Sequence, residues 1–475
     1  MRVLLVRPPV PRQTIGLKHL MACEPLELEY VGAGLAPDHD VQVLDLLLER
    51  GVEQRLREFR PDIVGTSCYI TGVGEVKRIC RATKAWNPEV RTVVGGVHAS
   101  LVPEDFADPA VDVIVQGDGT TVMPQLLRLL DAGRSPLELP MVAVPDEAGG
   151  LRLSPRGPYI PDPDTLPFPR RELTAHLRHR YFYIYHSPLA LLKTTWGCWY
   201  DCNFCFNWRV TGGPAYARSP ESIVAELEGI AEPEVYIVDD IFLINRRRLA
   251  RLGELVRERG IRKRYLCFSR ADFIAHNEDV IAEWAELGLS AVLVGLEAAT
   301  DAELQAMEKR STVELNREAV AVLRRNGVDP YGSLIPQPDY LPQDWERLAR
   351  FIDETGLYYL NISPLTPLPG TTIWSEYRDR ITVRRDAHAL WDLSHAVLPT
   401  RMPLKAYYRA LLRVYGRTVF NLARARRVTI RPRPPLFSRA SLRIWWGVLR
   451  AALQFRYAHR HHNVRTVVAD RRPAP

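Results

Sequence analysis

Short apolar runs alternate with helical stretches in two separate series along this chain, and this alternation restricts its fold more than any other feature. In the first series the apolar runs cover residues 3–6, 41–44, 62–65, 91–95 and 111–116. A strand, a helix and a second strand in succession predict parallel pairing, with helices on both faces of the sheet. The sequence therefore predicts an α/β fold that begins with a Rossmann-like domain over residues 1–140.

The second series comprises six strand–helix units, with apolar runs at residues 191–195, 235–238, 264–268, 291–294, 329–335 and 359–363. A proline-rich passage at residues 158–170 indicates a stiff extended linker, because proline fits neither a helix interior nor a central strand. We therefore assign residues 141–185 to a linker and residues 186–380 to a second α/β domain. Residues 381–475 lack the strand rhythm, and we interpret them as a mostly helical region.

Three of the seven cysteines follow the first strand of the second series, in a C-x3-C-x2-C arrangement of Cys198, Cys202 and Cys205. Zinc in a structural site takes four protein ligands, and this loop offers three thiolates with no fourth Cys or His nearby. Three thiolates suit a [4Fe–4S] cluster with one iron left open for a small molecule. The spacing favours such a cluster, and the alternatives are a partial zinc site or three unconnected loop cysteines.

The cysteines also bear on the compartment. An odd number of them, with three clustered, argues against a disulfide scaffold and for a reducing environment. The apolar run at the start of the chain is too short for a signal peptide and is typical of a first β-strand. We therefore expect a cytoplasmic protein.

The cysteine motif, with Phe204 directly before its third cysteine, resembles that of the radical S-adenosylmethionine (SAM) enzymes. In that family the open iron binds the amino and carboxylate groups of SAM, and an electron from the cluster cleaves SAM to a 5′-deoxyadenosyl radical. The resemblance implies a partial (β/α)6 barrel over residues 186–380 and an electron donor of the flavodoxin or ferredoxin type. It also implies that Phe204 lies close to the bound SAM.

Polar residues follow several strands of the second series, at the end where the chemistry of such barrels gathers. Asp239 and Asp240 end the second strand, Ser269 and Arg270 the third, and Glu297 the fourth. The family resemblance implies that the two aspartates lie near the methionyl group of SAM. It likewise implies Ser269 and Arg270 near the ribose and carboxylate, and Glu297 near the adenosyl group. Polar strand ends are also ordinary in α/β proteins, so a structural role is open for each residue.

Small and polar residues collect at the carboxyl edge of the first series, where ligands bind such sheets. Glycines there allow the backbone to approach a bulky ligand closely. The candidate binding residues at this edge are Thr66, Ser67, Tyr69, Gly95, Gly96, His98, Gly117 and Gly119. A nucleotide, or no ligand at all, is an alternative, whereas a dinucleotide is disfavoured because no Gly-x-Gly-x2-Gly follows the first strand.

The Gly-Gly-Val-His-Ala-Ser-x2-Pro-Glu run ending at Glu104 and the Gly-Asp-Gly-Thr turn at residues 117–120 carry a second resemblance. They are similar to the cobalamin-binding domain that precedes the radical SAM core in one branch of that superfamily. The Asp-x-His-x2-Gly signature, whose histidine ligates cobalt in other cobalamin proteins, is absent, and His98 does not replace it. The resemblance thus implies cobalamin with its own base displaced and no protein histidine on cobalt. Ser67 and Tyr69 are the candidates for the residue that faces cobalt.

The positive charge of the chain lies at its C-terminal end. From Arg401 onward there are 18 Lys and Arg residues against one acid, Asp470, which gives a net charge of +17. The preceding part carries 45 basic and 55 acidic residues, which gives −10. A basic tail on an acidic body predicts contact with an anionic surface, either lipid or nucleic acid.

Residues 436–460 are too interrupted by arginine to span a bilayer. As a helix, this segment places arginines and apolar residues on opposite sides, with Trp445 and Trp446 flanking them, which suits a peripheral contact with a membrane. The arginines are Arg439, Arg443 and Arg450, and the apolar residues are Ile444, Val448, Ala451 and Phe455. A helix packed on the enzyme body is the alternative. Nucleic acid is disfavoured because no aromatic stacking platform accompanies the arginines.

A cobalamin domain joined to a radical SAM core resembles the methyltransferases that act on unactivated carbon. Such a carbon has no lone pair to attack a sulfonium, so hydrogen abstraction must precede methyl transfer. In that family one SAM methylates cobalamin, a second SAM yields the radical, and the substrate radical then takes the methyl group from cobalamin. The resemblance implies three cofactors, which are a [4Fe–4S] cluster, SAM and cobalamin.

The substrate is less constrained than the reaction. Trp391 and residues 395–404 resemble a segment of the hopanoid C-methylases. Together with the basic, tryptophan-bearing C-terminus, this segment favours a hydrophobic or membrane-resident substrate such as a polycyclic isoprenoid lipid. A soluble small-molecule intermediate of a natural product remains an alternative.

Three rival functions stay open. A cobalamin-dependent radical oxidoreductase or cyclase would use the same cofactors without methyl transfer, and a non-catalytic cobalamin sensor would not need the polar strand ends. A tRNA methylthio-transfer enzyme would need a second cluster with three further cysteines in the N-terminal domain. Only Cys23, Cys68 and Cys80 occur there, and we expect the last two in the core.

Overall fold

The computed structural model describes residues 1–15, 20–157, 159–160, 162–213, 215–419 and 438–462. The first eight strands are β1 Arg2–Arg7, β2 Met21–Ala22, β3 Asp40–Asp45, β4 Ile63–Ser67, β5 Arg91–Gly95, β6 Val113–Val115, β7 Val142–Pro145 and β8 Leu151–Leu153. All but β2 form a seven-stranded sheet in the order β3-β1-β4-β5-β6-β7-β8. Its first five strands are parallel, as the sequence predicts.

Helices cover both faces of this sheet because its central strands are apolar on both sides. They are α1 Leu26–Leu35, α2 Val52–Phe59, α3 Val73–Trp86, α4 Val97–Leu101 and α5 Gly119–Asp131. In β1, Val3 and Leu5 pack against α1 and α5, while Leu4 and Val6 pack on the opposite face against α2 and α3. The alternation of side chains along a strand produces this division, and the predicted Rossmann-like architecture is confirmed.

The first part of the predicted linker, residues 142–153, forms two further strands of the first sheet. β7 pairs antiparallel with β6, and β8 pairs antiparallel with β7. In the turn between β7 and β8 the carboxylate of Asp146 accepts the backbone N–H of Gly150 at 2.7 Å. This local hairpin extends the sheet to Leu153, so the connecting passage is shorter than predicted. Pro158 and Pro161 of that passage lie outside the described residues.

The second domain is an open barrel. Its strands and the short pairs around them are β9 Phe182–Tyr183, β10 Leu189–Leu192, β11 Thr195–Trp196, β12 Tyr216–Ala217, β13 Glu234–Ile237, β14 Arg264–Arg270, β15 Leu289–Glu297, β16 Asp329–Leu334 and β17 Tyr359–Ile362. Six of them form a parallel sheet in the order β10-β13-β14-β15-β16-β17. The six predicted strand–helix units are therefore confirmed.

The helices of this domain are α6 Asn207–Val210, α7 Pro220–Gly229, α8 Arg246–Glu258, α9 Ala271–His276, α10 Glu278–Glu286, α11 Asp301–Ala306, α12 Val313–Arg325, α13 Pro342–Thr355 and α14 Trp374–Tyr377. Six of them, α7, α8, α9, α10, α12 and α13, pack on the outer face of the sheet. On the inner face, Leu191, Leu266 and Leu293 pack against Leu26 and Tyr30 from the start of α1. The first domain thus packs into the concave side of the barrel, and the carboxyl ends of both sheets contribute to the interface.

Charged residues reinforce this interface in a buried group that we call the interdomain ion cluster: Glu24, Glu29, Arg171, Arg178 and Glu226. Arg171, on the 3-10 helix Arg171–Arg180, lies 2.6 Å from Glu24 and 2.6 Å from Glu226 of α7. Arg178 also pairs with Glu24. The three carboxylate side chains are 0–3% exposed. Because buried charges need partners, this cluster holds the connecting passage in one position between the domains.

The described part of the C-terminal region includes two α-helices after residue 400, α15 Leu404–Val419 and the C-terminal helix Arg439–Ala458. Ile444 and Phe455 of the C-terminal helix are buried against the enzyme, so the predicted helix packs on the body. Its opposite face exposes a second apolar stripe, which the sequence analysis did not distinguish from the buried one. The side chains of this stripe are each 42–57% exposed: Leu442, Trp445, Trp446, Leu449, Leu453 and Tyr457. In the described part of the chain, none of the helices has the length and hydropathy to cross a membrane.

Candidate functional site

The cysteine loop begins where β10 and β11 reach the carboxyl end of the barrel. Gly197 has φ +77°, a left-handed conformation that glycine adopts at little cost. Cys202 is buried, Cys198 and Cys205 are half-buried, and all three are free thiols. Burial raises the pKa of the Cys205 thiol to about 12, with smaller contributions from nearby Asp240 and the other two cysteines. The three cysteines therefore lie close to one another, as ligation of one cluster requires.

Asp239 anchors the strand that leads into this loop. Its carboxylate accepts hydrogen bonds from the backbone N–H groups of Thr194 and Thr195 at 2.6 and 2.9 Å, and from the Thr194 hydroxyl. The residue is 1% exposed. Asp239 thus fastens the end of β10 to β13 and fixes the point from which the cysteine loop departs.

Arg270 lies directly beside the cysteine loop. Its guanidinium is 3.8 Å from the Cys202 Sγ and 3.8 Å from the centroid of the Tyr200 ring. It also donates to the backbone carbonyl of Lys309 at 2.5 Å and pairs with Asp272 at 3.1 Å. Arg270 therefore places positive charge directly beside the cysteine loop.

Glu297 continues the same network. Lys309 Nζ donates to its carboxylate at 2.7 Å, and both side chains are 8% exposed. Glu297 has φ +60°, a conformation rare for a residue with a side chain. Ser269, on the neighbouring strand, donates its hydroxyl to the carbonyl of Leu243 at 3.3 Å. The predicted strand-end residues therefore gather at one edge of the barrel, where Lys309 connects Glu297 to Arg270.

The loop after β15 also holds the cysteine loop from outside. Asn203 donates to the carbonyl of Ala306 at 2.8 Å, and Arg310 pairs with Asp201 at 2.8 Å. Phe204 packs against Met307 and its neighbours. Each of the residues 201, 203 and 204 therefore contacts the same segment, and the loop is braced along its length.

Glycines shape the carboxyl edge of the first sheet. Gly96 has φ +95°, and a Cβ at this position would lie 2.6 Å from the backbone nitrogen of Cys68. A Cβ on Gly119 would lie 2.9 Å from Val31, and one on Gly117 would lie 3.2 Å from Met141. These glycines allow backbone segments to pack tightly, with Thr66, Ser67 and Gly95 at the ends of β4 and β5 beside them.

Tyr69 faces an interior space between the two domains. Its side chain is 63% exposed, yet burial within the surrounding protein raises the pKa of its phenol to about 12. Glu27 and Asp240 also contribute to raising that pKa, and Arg7 lowers it. Because the side chain is exposed, it borders an open space, which we call the cavity. Glu27 comes from the first domain and Asp240 from the second, so the cavity lies between them.

Further residues extend the wall of this cavity. Burial raises the pKa of Tyr159, and Asp118, Tyr69 and Asp240 raise it as well. Burial likewise raises the pKa of Glu27, which receives a hydrogen bond from Ser67. Asp240 also lies near the Cys205 thiol, so this residue is close both to the cysteine loop and to Tyr69 at the carboxyl edge of the first sheet.

The His98 side chain is directed at Asp105 and not at the cavity. Its imidazole Nε2 is 2.7 Å from Asp105, its ring packs edge-on against Phe106, and its backbone N–H donates to the carbonyl of Cys68. The side chain is 5% exposed. Its predicted contact with cobalamin stays a prediction, because the imidazole is directed at Asp105.

The residues present fit the three implied cofactors. Three converging free thiols beside the Arg270 guanidinium suit an iron–sulfur cluster with one open iron. The cavity between the domains, lined by Tyr69 and bordered by close-packed glycines, suits a large planar ligand at the sheet edge. Polar groups at the barrel edge suit the zwitterionic end of SAM.

Sequence reasoning missed several residues of the site: Glu27, Tyr159, Asn203, Lys309 and Arg310. A basic pair in the loop after the fourth barrel strand was a usable signal for Lys309 and Arg310, because positive charge there complements Glu297. Glu27 and Tyr159 carried no local signal, since they meet the site only after the domains dock.

Comparisons with known proteins agree with this geometry. Residues 13–127 match the family model of the B12 binding domain, and residues 192–352 match that of the Radical SAM superfamily. The chain is 33% identical over 412 residues to the hopanoid C-3 methylase of Methylococcus capsulatus, covering 85% of this chain and 78% of the relative. It is 25% identical to the anaerobic magnesium-protoporphyrin IX monomethyl ester cyclase of Rubrivivax gelatinosus, covering 71% and 62%.

A solved structure has the same fold. The radical SAM methyltransferase TsrM from Kitasatospora setae, with tryptophan substrate and a SAM analogue bound, superposes with a TM-score of 0.67. The two chains are 17% identical, and the match covers 97% of this chain and 98% of that one. At this level of identity the likeness concerns the fold.

Proposed function

Since this chain belongs to the family of cobalamin-dependent radical SAM enzymes that includes the hopanoid C-methylases, and is a radical SAM methyltransferase, we propose that it methylates an unactivated carbon of a polycyclic isoprenoid lipid. The hopanoid C-3 methylase is a relative of 33% identity over most of both chains. A cyclase is a more distant relative at 25% identity, which makes methyl transfer the favoured outcome.

The observation that carries the proposal is the position of Asp240, which lies near both the cysteine loop and the edge of the first sheet. Hydrogen abstraction depends on the cysteine loop, and methyl donation depends on the carboxyl edge of the first sheet. One substrate carbon must reach both, so both must open into a single space. Asp240 lies near the Cys205 thiol and also near Tyr69, which supports one continuous space with a radical source on one wall and a methyl source on the other.

On the barrel side we propose that Cys198, Cys202 and Cys205 hold the cluster and that a group of polar residues surrounds SAM. Asp240, Ser269, Arg270 and Glu297 would contact SAM directly, with Phe204 beside it, while Asp239 acts as a positioning residue through the Thr194 backbone. When bound, the cluster with SAM supplies a hydrogen-abstracting radical, and cobalamin supplies the transferred methyl group.

On the other side we propose that cobalamin lies along the edge of the first sheet, with Tyr69 facing cobalt. Tyr69 is the candidate of the two that projects into the cavity, being 63% exposed, whereas Ser67 is half-buried at the end of β4. The remaining proposed contacts line the same edge: Thr66, Gly95, Gly96, Gly117 and Gly119. His98 would contribute to this edge only through its backbone, because its imidazole is bonded to Asp105.

Aromatic side chains support a hydrocarbon substrate. The inner face of the barrel carries tilted ring pairs, with Tyr183 and Tyr236 at 5.3 Å, Tyr236 and Phe268 at 5.9 Å, and Tyr331 and Tyr359 at 4.2 Å between centroids. Burial raises the pKa of Tyr236, and Tyr69 is among the groups that raise it as well, so this aromatic group lies near Tyr69. Phe268 and Tyr359 are half-buried, and such rings match the faces of a fused-ring lipid.

We also propose that the enzyme contacts an anionic membrane surface through the C-terminal helix. The exposed apolar stripe there contains Trp446, 57% exposed, and Leu449, 53% exposed. Arg439, Arg450 and Arg456 are exposed beside this stripe. A helix with apolar and aromatic residues next to arginines binds at the lipid headgroup level, which would bring the enzyme to a membrane-resident substrate.

Product analysis tests the proposed reaction. The protein would be reconstituted anaerobically with iron, sulfide and cobalamin, then given SAM, a reductant and a pentacyclic isoprenoid hydrocarbon. We expect 5′-deoxyadenosine, S-adenosylhomocysteine and a lipid product heavier by one methyl group. Formation of 5′-deoxyadenosine with an oxidised or cyclised product of unchanged carbon number would contradict methyl transfer. Methylation of a soluble compound and not of the lipid would contradict the substrate class.

A further inference from the structure

A second group of ligand-type side chains lies outside the cavity, where the first domain meets the C-terminal region. His98 and Asp105 come from the first domain, and His388 comes from the 3-10 turn His388–Leu390. Asp105 Oδ2 is 2.7 Å from His98 Nε2 and 3.1 Å from His388 Nε2. One ligand atom from each residue lies within 4.8 Å of the other two.

Asp105 lies at the centre of this group. Its carboxylate is largely buried, 20% exposed, and within the described residues its only ion-pair partners are the two histidines. Both imidazoles direct Nε2 at the same carboxylate oxygen, Asp105 Oδ2. The three side chains therefore converge on one point from two parts of the chain.

Two imidazole nitrogens and one carboxylate oxygen form a common donor set for divalent transition metals. We propose that His98, Asp105 and His388 bind one divalent transition-metal ion of the zinc or iron(II) class, which joins the first domain to the C-terminal region. This site is separate from the cysteine loop, and the inference does not depend on the methyl-transfer reaction.

The distances suit this assignment. Zinc lies about 2.0–2.2 Å from nitrogen and oxygen ligands, so tetrahedral ligand atoms are roughly 3.4 Å apart. The two separations from Asp105, 2.7 and 3.1 Å, are shorter than that value, and the third lies within 4.8 Å, so small side-chain rotations would open the group enough to hold the ion. His388 and Asp105 are 13% and 20% exposed, which leaves a path for the ion and a position for a water ligand.

The segment that carries His388 is independently held in place. The Thr14 hydroxyl donates to the carbonyl of Ala389 at 2.9 Å, and the backbone N–H of Ile15 donates to Asp392 at 2.6 Å. His388 therefore approaches Asp105 from a fixed backbone. A preorganised ligand costs less entropy on metal binding than a mobile one.

Zinc binding to the full-length protein tests the proposal. The cluster is reconstituted first, so that the cysteines are occupied, and zinc content is measured by mass spectrometry after dialysis against a zinc buffer. We expect about one zinc per chain, and an affinity at least about tenfold weaker in His388→Ala and in Asp105→Asn. His276→Ala is the matched control, because His276 is exposed and its ring bonds only the carbonyl of Asp272.

Asp105→Asn preserves size and hydrogen-bonding capacity, so its cobalamin absorbance and cluster content should match those of the unchanged protein. Iron in excess of the cluster that is lost in His388→Ala would support the iron(II) form of the site. Absence of both metals from the unchanged protein, or equal zinc affinity in all four proteins, would overturn the proposal and leave a hydrogen-bonded triad.

Discussion

Replacing Arg171 with methionine should loosen the contact between the two domains. Methionine keeps an apolar stem of similar length but removes the guanidinium, which lies 2.6 Å from both Glu24 and Glu226. Removing one partner of a buried ion pair costs about 3–5 kcal/mol, because the remaining charge stays buried. Arg178 still contacts Glu24, so we expect a loss near the lower limit, about 3 kcal/mol.

Arg170→Met is the matched control. Arg170 pairs with Glu172, and the two side chains are 30% and 64% exposed, so its removal should cost about 0–1 kcal/mol. Hydrogen exchange of α1 and of the 3-10 helix at residues 171–180 reports this contact directly, alongside thermal unfolding. A multidomain protein need not unfold in one step, and local exchange avoids that assumption.

The loss in Arg171→Met should also depend on pH. Burial raises the pKa of Glu29 to about 7, and Arg171 lowers it. An acid whose folded pKa lies above its unfolded value of about 4.3 costs stability as the pH rises between the two values. Without Arg171 the folded pKa rises further, so the variant should lose more stability at pH 8 than at pH 6. Equal losses at both pH values, or a loss no larger than that of Arg170→Met, would refute this reasoning.

Three further outcomes follow from the site and the C-terminal helix. Cys202→Ala should abolish SAM cleavage while cobalamin still binds, and retained cleavage would contradict the cluster assignment. Gly96→Ala should reduce the free energy of unfolding by about 1–3 kcal/mol and reduce bound cobalamin, because its φ is +95° and a Cβ would lie 2.6 Å from a backbone nitrogen. Unchanged stability in thermal unfolding would show that the alanine is not strained. The double variant Trp446→Ala and Leu449→Ala should bind anionic vesicles roughly tenfold more weakly. The control Leu153→Ala, at an equally exposed position on the first sheet, should bind them normally. Equal vesicle binding by the two variants would refute docking through the C-terminal helix.

Local sequence patterns predicted the architecture because each strand carries its own signal. The apolar run of β1 is buried on both faces, and the cysteine loop occupies one continuous stretch, so neither depends on distant parts of the chain. The hairpin of β7 and β8 was missed because the proline-rich passage after it dominated the interpretation. Its Asp146 turn was visible in the sequence as Asp-Glu-Ala-Gly-Gly.

The remainder of the site arises from docking. Glu27 and Tyr159 line the cavity only because the first domain packs into the open barrel, and no spacing within either segment encodes that contact. Sequence alone also does not show which apolar face of the C-terminal helix is buried. Ile444 and Leu442 are both apolar, but Ile444 is 8% and Leu442 is 54% exposed, and only the packed structure tells which side is free.

Asp239 and Asp240 show how far two adjacent residues of one type diverge. Asp239 is buried, and its carboxylate accepts hydrogen bonds from the backbone N–H groups of Thr194 and Thr195. It therefore determines where the cysteine loop begins. Asp240 accepts the backbone N–H of Gly197 and lies in the cavity near Tyr69. Successive side chains after a strand point to opposite sides, so one aspartate must face the barrel wall and the other the cavity. Substitution of Asp239 should therefore disturb cluster assembly, whereas substitution of Asp240 should leave the cluster intact and weaken SAM binding.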